Sequence, residues 1–132
     1  MQSLTRPRVL YADDNEDACL MLSTLLGLSN IETKSANTID EALKLAQAER
    51  FDLYLLDTRF PEGSGLDLCR QLRKFNSRMP IVFYSGDAYE AEKSKGLAAG
   101  ADAYLVKPNT DTVTPTIFQL LKQTTKSVYQ TL

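Results

Sequence analysis

Short apolar runs alternate along the chain with longer stretches in which apolar residues recur every three or four positions. The short runs predict β-strands and the longer stretches predict amphipathic helices. Five strands are predicted in this way, over residues 8–12, 31–36, 51–57, 80–84 and 103–106. The second, more polar strand is expected at an edge. Because strands and helices alternate throughout, the pattern predicts an α/β domain whose parallel sheet has helices on both faces.

Each predicted helix has recognisable ends. Asn15 is an expected N-cap of the first helix, and either Asn37 or Thr38 is expected to cap the second. The fourth is expected at about residues 88–98, before Gly100, and Pro115 must lie in the first turn of the fifth. The side chains expected to face the core are Ala18, Met21, Leu22, Leu25 and Leu26, then Ile39, Ala42, Leu43 and Ala46, then Leu68, Cys69, Leu72 and Phe75, and finally Val113, Ile117, Leu120 and Leu121.

Length and charge narrow the functional classes. A chain of 132 residues is expected to form one domain, and its net charge of −2 gives no basic field for nucleic acid. No apolar run approaches the roughly 18 residues of a membrane span, and residues 1–8 lack a signal-peptide core. We therefore expect a cytoplasmic protein that binds neither nucleic acid nor membrane.

The chain contains no histidine. Catalytic Ser-His-Asp or Cys-His groups and His-ligated zinc are therefore excluded within it. Cys19 and Cys69 lack the close spacing of a metal or redox pair, so we interpret them as buried apolar residues. Any chemistry must rely on carboxylates, lysine, hydroxyl groups, backbone amides or a hard metal ion.

Polar residues stand at the ends of four predicted strands: Asp13 and Asp14, Asp57, Ser85 and Lys107. The carboxyl ends of parallel strands form the ligand-binding edge of an open α/β sheet, so these side chains should meet. Converging carboxylates suit Mg²⁺, with Mn²⁺ as the alternative ion, because both prefer oxygen ligands. A lysine and a hydroxyl group beside them favour phosphoryl transfer, with Asp57 as the nucleophile.

These motifs resemble those of response regulator receiver domains of two-component systems, in the CheY-like superfamily. The resemblance covers residues 7–124, with a polar C-terminal tail beyond, and implies a single receiver domain over residues 1–132. It implies a flavodoxin-like, doubly wound fold: a five-stranded parallel sheet of order 2-1-3-4-5 with five helices in three α/β/α layers. The matching motifs are Asp13-Asp14, Asp57 with Pro61 and Gly65, Ser85-Gly86, residues 98–104 and Lys107-Pro108.

The resemblance also implies roles for the site residues. Asp57 would accept a phosphoryl group from a phosphohistidine on a histidine kinase or phosphotransfer protein. Asp13 or Asp14, Asp57 and the backbone carbonyl of Arg59 would bind Mg²⁺, and Lys107, before a cis peptide bond to Pro108, would contact the phosphate. Such a domain catalyses its own phosphorylation and dephosphorylation but acts mainly as a signalling switch.

The expected switch residues are Ser85 and Tyr104. Ser85 would turn toward the phosphate, and Tyr104 would turn inward, repacking the face formed by the fourth helix, fifth strand and fifth helix. This face would bind a downstream protein, and the domain would be a monomer or weak dimer. Since 132 residues leave no room for an output domain, signalling is expected to pass through protein contacts.

Two positions depart from what the resemblance leads us to expect. Arg59 stands two residues after Asp57, and Asp87 stands two residues after Ser85. Both should flank the mouth of the site, so we predict an Arg59–Asp87 ion pair across it. Such a pair would hinder the attacking water and lengthen the lifetime of the phosphate.

Other functions are less well supported. A receiver-like docking module that acts without phosphorylation would not need the intact acidic residues and Lys107. A phosphatase with an aspartate nucleophile would need a second carboxylate two residues after Asp57, where Arg59 stands. Flavin binding is disfavoured because Asp13 and Asp14 would repel the flavin phosphate.

Overall fold

The computed structural model describes the backbone of residues 6–131 and the side chains of residues 6–123. All strands of its main sheet run parallel, in the order β2-β1-β3-β4-β5. The predicted doubly wound, flavodoxin-like fold and its strand order are confirmed. The strands are β1 (Arg8–Ala12), β2 (Glu32–Ala36), β3 (Leu53–Leu56), β4 (Ile81–Ser85) and β5 (Ala103–Val106).

The helices begin where the sequence provides caps. Asn15 accepts a hydrogen bond from the backbone N–H of Ala18, and the Thr38 hydroxyl accepts one from Glu41. These bonds satisfy amide groups that the first turn of a helix leaves without partners. The helices are α1 (Glu16–Leu28), α2 (Ile39–Ala48), α3 (Gly65–Phe75), α4 (Glu90–Ala98) and α5 (Val113–Thr131).

The alternating side chains of the sheet divide the core into two layers. One face packs against α2 and α3, where Leu68, Cys69 and Leu72 are buried. The other packs against α1 and α5 and buries Cys19 and Ile117. Both cysteines are free and buried, as predicted, and burial raises the pKa of the Cys69 thiol to about 11. No described helix is long and apolar enough to cross a membrane.

The prediction that Met21 and Phe75 face the core is wrong. Met21 is 62% exposed, because the buried face of α1 is centred on Cys19, Leu22 and Leu26 and Met21 lies outside that arc. Phe75 is 48% exposed, because it is the last residue of α3 and lies beyond the last buried residue of that helix, Leu72.

The segments around the site contain two short elements that the sequence pattern did not predict. Between β3 and α3, Arg59–Phe60 pairs with Gly63–Ser64 as a small antiparallel hairpin. Before α5, Thr110–Thr112 forms a 3₁₀ turn, and Pro115 then falls in the first turn of the helix, as predicted. The backbone of α5 continues through the polar C-terminal segment to Thr131.

Candidate functional site

The sheet brings four strand ends together at its carboxyl edge. Backbone hydrogen bonds continue past the strands, since the Asp57 N–H donates to Ala12 O at 2.9 Å. The Lys107 N–H likewise donates to Ser85 O at 2.8 Å, which aligns the ends of β5 and β4. The Lys107–Pro108 peptide bond is cis, as the resemblance implied. The candidate residues are therefore placed by the sheet itself.

Three of these residues form a cluster of carboxylates. One carboxylate oxygen from each of Asp13, Asp14 and Asp57 lies within 4.8 Å of the others. Asp13 is buried, Asp57 is half-buried and Asp14 is exposed. Oxygen ligands that face solvent on one side fit a small hard cation that keeps several waters. Asp14, Asp57 and Arg59 also line an open cavity of about 360 Å³, so space exists beside the cluster.

Lys107 supplies the positive charge of the site. Its Nζ lies 2.5 Å from Asp13 Oδ2 and 3.2 Å from Asp57 Oδ2. Burial favours the neutral amine, but the Asp13 hydrogen bond and the charges of Asp57 and Asp13 outweigh it, so the pKa of Lys107 is raised. The lysine therefore remains an ammonium group that bridges the two carboxylates.

Asp57 is in a different electrostatic environment from an ordinary surface aspartate. Burial raises the pKa of its carboxyl group and the neighbouring Asp13 adds to this, while Lys107 and the backbone N–H of Thr58 oppose it. The Thr58 N–H donates to Asp57 Oδ1 at 2.7 Å, which fixes the plane of the carboxylate. One oxygen is thus held by Thr58 and the other by Lys107.

The Ser85 hydroxyl lies at the centre of a short polar network. Its Oγ is 2.7 Å from Thr58 Oγ1 and accepts the backbone N–H of Asp87 at 3.1 Å. Ser85 is only 2% exposed, so this hydroxyl group belongs to the interior of the site. The network connects the loop after β3 with the loop after β4.

Tyr104 and Arg59 both reach Asp87. The Tyr104 ring packs against Phe83, with ring centroids 5.9 Å apart, and its hydroxyl donates to Asp87 O at 2.8 Å. Arg59 Nε lies 2.8 Å from Asp87 Oδ2, so the predicted ion pair is present. Its effect on the lifetime of a phosphate stays a prediction.

Sequence reasoning missed two polar partners, Tyr11 and Thr58. The buried Tyr11 hydroxyl donates to Asp13 Oδ2 at 2.6 Å. The apolar pattern of β1 includes Tyr11 without marking its hydroxyl group, although a spacing of two residues puts the Tyr11 and Asp13 side chains on the same face. The signal for Thr58 in the sequence is a hydroxyl group directly after Asp57.

The chain matches the family model described as "Response regulator receiver domain" over residues 9–118. It is 36% identical over 101 residues to the alkaline phosphatase synthesis transcriptional regulatory protein PhoP of Bacillus subtilis, covering 76% of this chain and 42% of PhoP. Over 105 residues it is 34% identical to the response regulator protein PilR of Pseudomonas aeruginosa, covering 80% of this chain and 24% of PilR. The chain thus spans less than half the length of either relative.

Solved structures agree with this match. The receiver domain of Francisella response regulator 1452 superposes with a TM-score of 0.84 at 32% identity, covering 89% of this chain and 98% of the other. TrrA of Thermotoga maritima, solved in complex with Mg(2+)-BeF, gives a TM-score of 0.79 at 30% identity, covering 86% and 98%. The sequence match, the fold and the residues at the strand ends show that this chain belongs to the response regulator receiver domain family of two-component systems.

Proposed function

We propose that Asp57 accepts a phosphoryl group in a Mg²⁺-dependent reaction, with a phosphohistidine of a histidine kinase or phosphotransfer protein as the donor. The observation that carries the proposal is the Asp57 carboxylate, 3.2 Å from the Lys107 ammonium within the cluster of three aspartates. The site has a nucleophile, acidic ligands and a cation, but no histidine of its own. The phosphohistidine would therefore lie outside these 132 residues.

The acidic cluster would hold the metal. Asp13, Asp14 and Asp57, with the backbone carbonyl of Arg59, would bind Mg²⁺ or Mn²⁺ through oxygen atoms. Bound there, the ion supplies positive charge that offsets the negative charge of phosphoryl oxygens. The relative TrrA was solved in complex with Mg(2+)-BeF, which supports this assignment.

The reaction replaces one bond to phosphorus with another. An Asp57 oxygen attacks in line, a P–O bond forms, and the P–N bond of the phosphohistidine breaks. The imidazole leaves with the electron pair of that bond and takes up a proton. Lys107 moves from the carboxylates to a phosphoryl oxygen, and the Ser85 hydroxyl donates to another. Hydrolysis by water restores the Asp57 carboxylate and releases inorganic phosphate.

The change in charge at Asp57 would then alter a protein-binding face. Ser85 and Asp87 connect the site to Tyr104. The Tyr104 ring packs against Phe83 of β4 and lies beside Gly96 of α4. The face formed by α4, β5 and α5 carries exposed apolar side chains, with Leu97 49% and Phe118 41% exposed. Such groups are suited to a downstream protein partner, whose affinity would change with the position of Tyr104.

Intact-mass spectrometry with acetyl phosphate tests the proposal. With Mg²⁺, the wild type should gain one phosphoryl group, whereas Asp57→Asn, or the wild type with chelator, should gain none. Asp40→Asn is the matched control, because Asp40 is an exposed residue of α2 that pairs with Lys44 and does not belong to the acidic cluster. Equal phosphorylation of wild type and Asp57→Asn would contradict the proposal. Absence of phosphorylation with both acetyl phosphate and a phosphohistidine donor would favour the docking-module alternative.

A further inference from the structure

The Asp13 carboxylate is held by three hydrogen-bond donors. Its Oδ2 accepts from the Tyr11 hydroxyl at 2.6 Å and from Lys107 Nζ at 2.5 Å, while its Oδ1 accepts from the Asn15 N–H at 2.9 Å. Asp13 is 1% exposed, and Tyr11 is fully buried in β1. Two donors on Oδ2 therefore share the task of fixing one buried carboxylate.

The two donors differ in what else they must do. Under the proposed function, on which this inference rests, Lys107 turns to a phosphoryl oxygen during the reaction. Asp13 Oδ2 then loses its cationic partner and would be left without a donor unless another remains. Tyr11 is fixed by the surrounding core, where its ring belongs to the buried layer beneath α1 and α5. Its hydroxyl can therefore stay on Asp13 when Lys107 leaves.

We propose that Tyr11 is a positioning residue that holds the Asp13 carboxylate in its metal-binding orientation while Lys107 engages the phosphoryl group. Groups that hydrogen-bond to a metal ligand orient it, and removing one typically weakens metal binding by about 10- to 100-fold. Tyr11 acts through Asp13 and does not contact the reacting atoms. The role of Tyr11 is to keep the Mg²⁺ affinity of the site high while Lys107 exchanges its hydrogen bond to Asp13 for one to the phosphoryl group.

Mg²⁺ affinity of Tyr11→Phe, measured by isothermal titration calorimetry, tests the inference directly. The matched control is Tyr54→Phe, because Tyr54 is another buried strand tyrosine and its hydroxyl group has no hydrogen-bond partner among the described residues. In a Lys107→Met background, where Tyr11 is the remaining donor to Asp13 Oδ2, adding Tyr11→Phe should weaken Mg²⁺ binding at least about tenfold, and adding Tyr54→Phe should leave it unchanged. Circular dichroism of the metal-free proteins establishes that both variants fold.

Acetyl phosphate kinetics distinguish positioning from a general structural role. In Tyr11→Phe, the Mg²⁺ concentration for half-maximal phosphorylation should rise by the same factor as the dissociation constant, while the rate at saturating Mg²⁺ stays within about twofold of wild type. Unchanged Mg²⁺ affinity when Tyr11→Phe is added to Lys107→Met would overturn the inference. A wild type that binds Mg²⁺ but is never phosphorylated would overturn the proposed function, while calorimetry still decides whether Tyr11 positions Asp13. A wild type that binds no Mg²⁺ would overturn both.

Discussion

Gly65 brings the start of α3 against the backbone of Asp57, the proposed phosphoacceptor. A Cβ atom built on Gly65 would lie 1.9 Å from the Asp57 carbonyl oxygen and 2.9 Å from both Asp57 C and Thr58 Cα. All three are backbone atoms, so no side chain can rotate to make room. The Gly65→Ala substitution must therefore push α3 and the end of β3 apart.

The size of the effect follows from the contact. Non-bonded heavy atoms do not approach a Cβ closer than 3.0 Å, so the 1.9 Å contact must open by about 1 Å. Overpacking of a core costs about 1–3 kcal/mol and occasionally more, and a backbone clash belongs at the upper end of this range. The higher helix propensity of alanine offsets part of this cost. The offset is less than the full value of about 1 kcal/mol for a helix interior, because Gly65 is the first residue of α3. We expect a net loss of about 2–3 kcal/mol in the free energy of unfolding.

Urea unfolding followed by circular dichroism measures this loss. With a slope of about 1–3 kcal/mol per molar urea, a loss of about 2–3 kcal/mol should lower the midpoint by about 0.7–3 M. Gly27→Ala is the control, because Gly27 is an exposed residue of α1 and a Cβ atom there would meet nothing within 4 Å. This substitution should stabilise the protein by a few tenths to about 1 kcal/mol. Phosphorylation of Gly65→Ala by acetyl phosphate should also be slower, because the clash displaces Asp57.

Gly65→Ala and Gly27→Ala with the same urea midpoint would refute this reasoning. The close approach of α3 to Asp57 would then not constrain the position of the phosphoacceptor.

Three further predictions follow from the charges and burial of single residues. Arg59→Ala should shorten the lifetime of the aspartyl phosphate with little change in the free energy of unfolding, since the Arg59 side chain is 77% exposed. An unchanged dephosphorylation rate would exclude the Arg59–Asp87 ion pair as a barrier to the attacking water. Lys107→Met should lower the free energy of unfolding of the metal-free protein by roughly 3 kcal/mol, because Asp13 and Asp57 would repel each other, and Mg²⁺ should restore part of this loss. Equal urea midpoints of this variant with and without Mg²⁺ would argue against carboxylate repulsion as the cause. Because burial raises the pKa of the Cys69 thiol to about 11, this thiol should resist thiol reagents at pH 8 until the protein unfolds, and rapid labelling of the native protein would contradict its burial. The contribution of the protonated thiol to the free energy of unfolding should be complete below about pH 8.5 and be lost as the pH rises through 11.

The sequence was sufficient for the fold because local patterns and the alternation of elements agree. Asn15 and Thr38 cap helices with short-range hydrogen bonds that the chain order specifies. Parallel strands also bring their carboxyl ends to one edge, which places Asp13 near Asp57 although 44 positions separate them. These relations depend on backbone direction and need no knowledge of side-chain rotamers.

Side-chain details required the three-dimensional structure. Residues of an α-helix are separated by about 100°, so a stripe centred on Cys19, Leu22 and Leu26 leaves Met21 facing solvent, although its spacing from Leu25 fits a helical face. Similarly, Phe75 had the right spacing but lay at the end of its helix. Spacing defines the set of possible faces, and packing against the sheet selects one.

The polar contacts within the site were also beyond sequence patterns. Tyr11 meets Asp13 only because the phenol extends along β1 to the end of the strand, and an apolar strand pattern does not report this. The Thr58–Ser85 contact joins two loops at a distance of 2.7 Å, which depends on the rotamers of both hydroxyl groups. Tyr11 and Thr58 thus extend the site beyond the residues that the family motifs identify.

Identification of the phosphorylated atom tests the central claim most directly. After reaction with acetyl phosphate and Mg²⁺, borohydride reduces an aspartyl phosphate to homoserine, and peptide mass spectrometry locates the changed residue. The account predicts homoserine at position 57 of the wild type, dependent on Mg²⁺. A phosphoryl group found instead on the hydroxyl of Thr58 or Ser85, or homoserine at Asp13 or Asp14, would contradict it.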